Sequence, residues 1–411
     1  MSQDFIKRES CASCGGENLS LILDLGLMPL ANGFLFKDDL NKEEKKFPLT
    51  VFFCNNCSLL QIVDVVNPNI LFRKEYDYIT SASTPLIPHF EEMANDIEQE
   101  FITSKNDLFV DIGGNDGTLL NAIKDRCCVV NIDPAQNVVS LSSEKGIETI
   151  NEFFNFHLAE EIVKKRGNAT VVVANNVLAH IANIKDVFEG IRTLIGEKGV
   201  LVMEVHWVGN LLTEGGFDQI YHEHLYYYSL ISLKNLVNPL GLDIFRVELV
   251  PTQGQSMRVF MSHNRKSEKS VIDFLEKEKL IGLNKEETFI KFGKKVEKSK
   301  KELKNLLLKL KGDGKVIVTY GAPAKGNTLL NYFGLDGSVI DYAIDTTHFK
   351  QGKYTPGTHI QIFSPEKILK VKPDYFLLPA WNYKDAILEK EKHLREKGIK
   401  FIIPIPEVLI L

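Results

Sequence analysis

Residues 221 to 224 read YHEH, so Tyr221, His222, Glu223 and His224 stand in one unbroken row. Such a row could be a metal site, an acid/base site or a polar loop. Its placement in the fold has to decide. A second chemical signal is clearer: Cys11 and Cys14 form one CxxC ("CASC"), and Cys54 and Cys57 another ("CNNC"). Four thiolates in two such knuckles suit a tetrahedral zinc with no open coordination position, which makes the expected role structural. A redox CxxC is the alternative, and two pairs fit it less well. Cys127 and Cys128 fall on an apparent strand and are expected in the core.

The third signal is the loop "DIGGNDGTLL". It puts Asp111 at the end of an apolar strand, then Gly113, Gly114 and Gly117, with a helix expected from about Thr118. Glycines allow a tight turn and close approach of backbone to a ligand. The spacing departs from GxGxxG, which argues against a nicotinamide cofactor. The next strand ends in "NIDPA", so Asp133 falls where an acidic side chain accepts hydrogen bonds from ribose hydroxyls. "NEFF" and "ANNVLAH" end later strands, and the latter carries His180.

The elements that must position these residues follow from pattern. A chain of 411 residues exceeds one ordinary core. Residues 1–75 read as a zinc-stapled domain of short strands. Residues 76–265 alternate strand and helix, with strands expected at "LFVDIGG", "CVVNIDP", "ATVVVANNV", "GVLVMEVHW", "LDIFRVELV" and "SMRVFMSH", which predicts a doubly wound α/β sheet. Residues 266–411 read as connecting helices followed by a second Rossmann-like α/β domain. On this plan YHEH follows the fifth strand and is expected at the carboxyl edge of the sheet, near His180. If the stretch is extended, His222 and His224 share one face and Tyr221 and Glu223 the other.

The composition is 44% hydrophobic and 25% charged, and the net charge is -5, which gives no basic field for nucleic acid. No N-terminal apolar core follows a basic start and no run approaches a membrane span, so a cytoplasmic protein is expected.

These motifs together resemble the zinc-containing sugar C-methyltransferases that use S-adenosylmethionine on nucleotide-linked keto-deoxysugars. The likeness covers essentially the whole chain, through the CxxC pairs, "DIGGNDGTLL", "IDPAQNV", "ANNVLAHI", "FDQIYHEHLYYYSL", "YGAPAKGNTLLNY" and "QGKYTPGTHI". One stretch departs: members often carry "HGGS" before the arginine of the last strand, and here it reads "TQGQSMR" with Gln253 and Gln255. This bears on the sugar and leaves the reaction class unchanged.

The resemblance implies zinc at Cys11, Cys14, Cys54 and Cys57. It implies S-adenosylmethionine near Asp111, Gly113, Asn115, Asp116, Asp133, Pro134, Asn175 and Asn176, with Tyr76 or Tyr78 in the segment that closes over it. Proton chemistry is expected from His224, Tyr221, Glu223 and His180. Tyr78, Ser81 and Ser83, with Tyr320, Lys325, Asn327, Lys350 and Tyr354, are expected to hold a nucleotide-sugar substrate. Lys325, at a strand-to-helix turn, suits a diphosphate.

The expected chemistry explains the choice of residues. A sulfonium methyl is already activated, so the difficulty lies in making a carbon nucleophile. A 4-keto sugar acidifies C-3, and a base with a pKa near 6.5 removes its proton without a large shift. His224 is the expected base, Glu223 orients or polarises, and Tyr221 donates to the enolate oxygen; a glutamate base is the alternative. A sugar O-methyltransferase and a zinc-ribbon nucleic-acid-binding protein are the competing readings. The sugar, the nucleotide and the oligomeric state, monomer included, are left open.

Overall fold

The computed structural model describes residues 4–72, 78–83, 86–251 and 255–411. Tyr76 and Gln253 lie outside the described residues. Internal contacts divide the chain into two units, each made of three segments: residues 1–20, 52–209 and 225–286 in the first, and 21–51, 210–224 and 287–411 in the second.

The first unit holds a seven-stranded sheet built from β1 (Leu108–Ile112), β2 (Cys128–Ile132), β3 (Glu148–Ile150), β4 (Val171–Asn175), β5 (Val200–His206), β6 (Asp243–Val250) and β7 (Ser256–Ser262). Their order is β6-β7-β5-β4-β1-β2-β3. Strand order reverses at β1, and β7 alone runs against its neighbours β5 and β6. The β1, β4 and β5 segments are apolar on both faces because helices cover both, as parallel sheets require. On one face Phe90, Met93, Ala94 and Ile97 of helix Leu86–Phe101 meet Phe109, Val171, Val173 and Val202. The six strands expected from the sequence are present. The short β3, with its three residues and mixed pattern, was not anticipated.

Helices Phe156–Arg166 and Ile184–Ile195 end at Gly167 and Gly196, as their sequences predict. The helix Leu230–Val237 begins over a buried carboxylate. Glu278 Oε1 accepts from the Leu230 amide and from Trp207 Nε1, both at 2.7 Å, and Oε2 accepts from the Ile231 amide at 2.8 Å. A helix N-terminus leaves such donors without intrahelical partners, and an anion there also meets the dipole favourably.

The second unit carries a six-stranded sheet of β8 (Ile317–Tyr320), β9 (Tyr342–Ile344), β10 (Ile362–Phe363), β11 (Tyr375–Leu377), β12 (Lys400–Ile403) and β13 (Leu409–Ile410), in the order β10-β9-β8-β11-β12-β13. All neighbours are parallel except β12 and β13. Val318, Tyr342, Phe376, Leu394 and Phe401 form part of its core. Among the described residues no helix is long and apolar enough to cross a membrane.

One expectation about the core fails. Cys127 is buried, and burial pushes its thiol up to about 11, but Cys128 is exposed. Cys127 lies just before β2 and Cys128 is its first residue, whose side chain is left to solvent at the strand's start.

Candidate functional site

The two cysteine knuckles share one backbone pattern. The Gly15 amide donates to the Cys11 carbonyl at 2.9 Å, and the Ser58 amide to the Cys54 carbonyl at 2.8 Å. Cys11 N in turn donates to Gly16 O and Cys54 N to Leu59 O, both at 2.9 Å. The fifth residue of each turn takes a left-handed conformation, with φ of 73° at Gly15 and 63° at Ser58. All four Sγ atoms lie within 4.8 Å of one another. Zn–S bonds of about 2.3 Å in a tetrahedron place sulfurs about 3.8 Å apart, so the donor set fits zinc.

The thiols also show why a cation belongs there. Hydrogen bonds from Cys54 and Cys57 draw the Cys11 thiol down, while the bond with Cys11 pushes Cys54 up to about 11 and drives Cys57 up as well. A divalent ion stabilises thiolates at such a cluster.

The loop after β1 explains its own composition. Left-handed residues alternate with ordinary ones, with φ of 70° at Gly113, 51° at Asn115 and 72° at Gly117. Glycine and asparagine tolerate this region best. A Cβ at Gly113 would stand 2.5 Å from Val177 Cγ2, so packing as well as conformation requires glycine. Asn115 organises the neighbourhood: its amide donates to Asp133 Oδ2 at 3.1 Å, its Oδ1 accepts from Thr80 N at 3.0 Å, and its Nδ2 donates to the Tyr78 carbonyl at 3.1 Å. The segment with Tyr78, Ser81 and Ser83 is thereby tied to the loop.

Asp133 also accepts from Ala135 N at 2.9 Å. Burial pushes its carboxyl up to about 6 despite these two amides. Asp111 is held well above the carboxylate range, by burial and then by the charge of Asp133. Two acids at the carboxyl ends of the adjacent strands β1 and β2 keep acceptor capacity for hydroxyls and amines. The buried Oδ1 atoms of Asn131, Asn175 and Asn176 lack partners, and all three are acceptors. Such a set fits a ligand that brings ribose hydroxyls, an ammonium and an exocyclic amine, as S-adenosylmethionine does. Pro134 is half-buried beside Asp133.

Asp116 is placed differently. Burial raises its carboxyl, but hydrogen bonds from Ser81, Thr118 and Lys145 outweigh this and hold it low. Thr118 Oγ1 lies 2.6 Å from Oδ1 and Lys145 Nζ 3.1 Å from Oδ2. Its carboxylate is engaged in fixing the helix start Thr118–Asn121.

His180 belongs to the first unit, in the turn after β4, and stacks on Phe72 with ring centroids 5.9 Å apart and planes 3° apart. Burial lowers its pKa to about 4, with His206 a second cause, so it is neutral near pH 7.

YHEH belongs to the second unit. It is a turn, not an extended stretch: the His224 amide donates to the Tyr221 carbonyl at 2.8 Å. The face alternation considered from the sequence is therefore replaced by an i, i+3 pairing. Tyr221 and His224 rings lie 4.0 Å apart, centroid to centroid. His224 Nδ1 stands 2.8 Å from the Gln219 carbonyl. A carbonyl only accepts, so Nδ1 carries the proton and the neutral ring keeps its lone pair on Nε2. His222 is buried, sits edge-on to Phe47, and approaches the Pro48 carbonyl at 3.1 Å through Nε2. Glu223 is buried, and its Oε1 accepts from Asn32 Nδ2 at 2.7 Å.

Asn32 and the Gln219 carbonyl were not read from the sequence as site groups. The 3-10 turn that supplies this carbonyl, Phe217–Gln219, is pinned by Asp218, whose Oδ2 accepts from Trp381 Nε1 at 2.7 Å. Burial pushes the Asp218 carboxyl up, and Lys325 pulls it back.

Around helix Ala324–Phe333 the substrate expectations separate. Lys325 Nζ donates to Asn382 Oδ1 at 2.5 Å and lies 4.4 Å from the Trp381 ring centroid. Burial lowers its pKa, with Asp218 and Glu214 opposing. Lys350 Nζ donates to the Ala322 carbonyl at 3.0 Å. Tyr354 bridges Leu35 and Gln361 through its backbone. Asn327 is buried and donates to the Ala31 carbonyl at 2.7 Å. Tyr320 turns into the core, ring against Phe376 and Phe401, with its hydroxyl donating to Glu391 at 2.6 Å.

Comparison with known proteins gives three family matches: a zinc binding domain over residues 11–72, a methyltransferase domain over 89–247 and a C-methyltransferase C-terminal domain over 251–406. The C-methyltransferase NovU of Streptomyces niveus is 34% identical over 414 aligned positions, covering 100% of this chain and 98% of the relative. Solved structures with partial likeness include magnesium protoporphyrin IX methyltransferase from Synechocystis PCC 6803 with bound SAM, at 11% identity, 44% of this chain, 81% of that chain and a TM-score of 0.34. A SAM-dependent methyltransferase from Anabaena variabilis gives 13%, 42%, 84% and 0.33.

Proposed function

This chain belongs to the S-adenosylmethionine-dependent C-methyltransferase family, and on that premise we propose that it methylates C-3 of a nucleotide-linked 4-keto-deoxysugar through an enolate. The observation that carries the proposal is the Gln219 carbonyl bound to His224 Nδ1, which leaves the basic lone pair on Nε2.

His224 Nε2 takes the C-3 proton, and the electrons of the C–H bond pass into the enolate. The Tyr221 phenol, whose ring is in contact with the imidazole, donates toward the oxygen that becomes negative. Glu223 supplies a buried carboxylate to the same turn and steadies the charge that forms on His224. S-adenosylmethionine, when bound, would supply the electrophilic methyl to the enolate carbon, its S–CH3 bond breaking to leave S-adenosylhomocysteine. Asp133, Asp111 and the acceptors of Asn175 and Asn176 would hold it, and His180, neutral at pH 7, adds no like charge beside a sulfonium. Lys325 and the amides that open helix Ala324–Phe333 would receive the diphosphate.

Solvent exchange tests the proton step by itself. With an inert cofactor analogue bound in D2O, a nucleotide 4-keto-deoxysugar is expected to take up deuterium at C-3, and His224→Asn to suppress this by about 10^2 to 10^4. Exchange at the native rate in the variant would move the base elsewhere.

A further inference from the structure

Strand Leu19–Pro29 ends in a tight turn in which the Gly33 amide donates to the Leu30 carbonyl at 2.9 Å. An asparagine in such a turn ordinarily satisfies its own backbone. Asn32 does something else: its amide reaches Glu223, 191 residues away in sequence.

The peptide that carries Asn32 is held from its other side. Ala31 is buried, and its carbonyl accepts from Asn327 Nδ2 at 2.7 Å. The Asn327 carbonyl accepts from Asn331 Nδ2 at 2.8 Å, and the same amide donates to Pro356 O at 2.9 Å. Asn327 and Asn331 lie on successive turns of helix Ala324–Phe333. All of these residues belong to the second unit. Two hydrogen bonds, from Asn327 to the Ala31 carbonyl and from the Asn32 side-chain amide to the Glu223 carboxylate, therefore link the helix to that carboxylate through the Ala31–Asn32 peptide.

The chemistry of the last link is specific. A carboxamide donor is neutral and does not titrate, so it fixes the direction of a buried carboxylate without competing for a proton as lysine would. We propose that Asn32 is a positioning residue for Glu223, and that the Asn327–Ala31–Asn32 chain joins the helix assigned to the nucleotide end of the substrate to the carboxylate of the YHEH turn. The inference rests on the reading that this turn carries the proton chemistry.

A double-mutant cycle on the full chain tests it, with kcat and KM measured for Asn32→Ala, Asn32→Asp, Glu223→Ala and Asn32→Ala/Glu223→Ala. Loss of one donor to a buried carboxylate is expected to lower kcat about 10- to 100-fold while KM moves less than about threefold. In the Glu223→Ala background the same substitution is expected to cost less than about twofold. Asn32→Asp keeps the shape, removes the donor, and should lose at least as much as Asn32→Ala; it also serves if the alanine variant folds poorly.

Losses that multiply in the double variant, or native kcat in Asn32→Asp, would overturn the inference. Native kcat in Glu223→Ala would remove both this inference and the role given to Glu223. Impaired Glu223→Ala beside unaffected Asn32 variants would remove this inference alone.

Discussion

Replacing Asp133 separates the contribution of its charge from that of its shape. The side chain is 7% exposed and accepts two backbone amides, from Asn115 and Ala135. Each carboxylate oxygen retains a second acceptor site for a ribose hydroxyl. Charge-assisted bonds of this kind contribute about 1.5 to 3 kcal/mol, so Asp133→Ala is expected to raise the dissociation constant for S-adenosylmethionine roughly 10- to 150-fold. The pH dependence is equally definite. With a carboxyl titrating at about 6, affinity should be flat above that pH and fall up to about tenfold per unit below it. Asp133→Asn keeps the shape, and its affinity should lose the acid fall-off.

The unliganded protein should respond in the opposite direction. Because the folded pKa of Asp133 lies above its ordinary 3.8, the folded state binds more protons between these values. The stability from this group is fully present below about pH 4 and is lost as pH rises through about 6, by roughly 3 kcal/mol. Isothermal calorimetry across this range, paired with thermal melts, measures both effects. Unchanged affinity in Asp133→Ala, or an acid fall-off retained in Asp133→Asn, would refute the reasoning.

Cys54→Ser should abolish one zinc equivalent by elemental analysis and lower thermal stability, while folded enzyme that keeps its metal with three thiolates and a water would contradict a closed structural site. Ser58→Gly relieves a left-handed φ of 63° and should stabilise the protein by up to about 1 kcal/mol in a denaturant titration. His180 should show no imidazole titration by NMR between about pH 5 and 8, because its folded pKa is near 4; a midpoint near 6.5 would show that the ring is hydrated.

Local backbone demands made the loop after β1 legible. Left-handed positions at Gly113 and Gly117 select glycine, and the acid at the end of the next strand follows from the periodic β-α-β pattern. The zinc knuckles were legible because CxxC spacing brings the two sulfurs of each pair together, while the meeting of the two pairs is a tertiary contact. YHEH was harder to read because no glycine or proline marks its turn, and a row of four polar residues fits an extended strand equally well. Competition for partners was also hidden. Nothing in "NDGT" shows that Lys145 will occupy Asp116, and nothing in "VTYG" shows that Glu391 will draw the Tyr320 hydroxyl into the core. Asn32 has a partner, Glu223, too far along the chain for any local pattern to reveal. The grouping of residues 21–51 with the C-terminal segments likewise depends on contacts distant in sequence.

The central claim is that the methyl group goes to carbon and that His224 prepares that carbon. Incubating the enzyme with S-adenosylmethionine labelled with 13C at the methyl, over a panel of nucleotide-linked 4-keto-deoxysugars, and locating the label by carbon NMR tests it directly. The expected product carries the labelled methyl coupled to ring carbon C-3, with formation lost in His224→Ala. A labelled methyl on oxygen, or C-3 methylation at the native rate without His224, would contradict it.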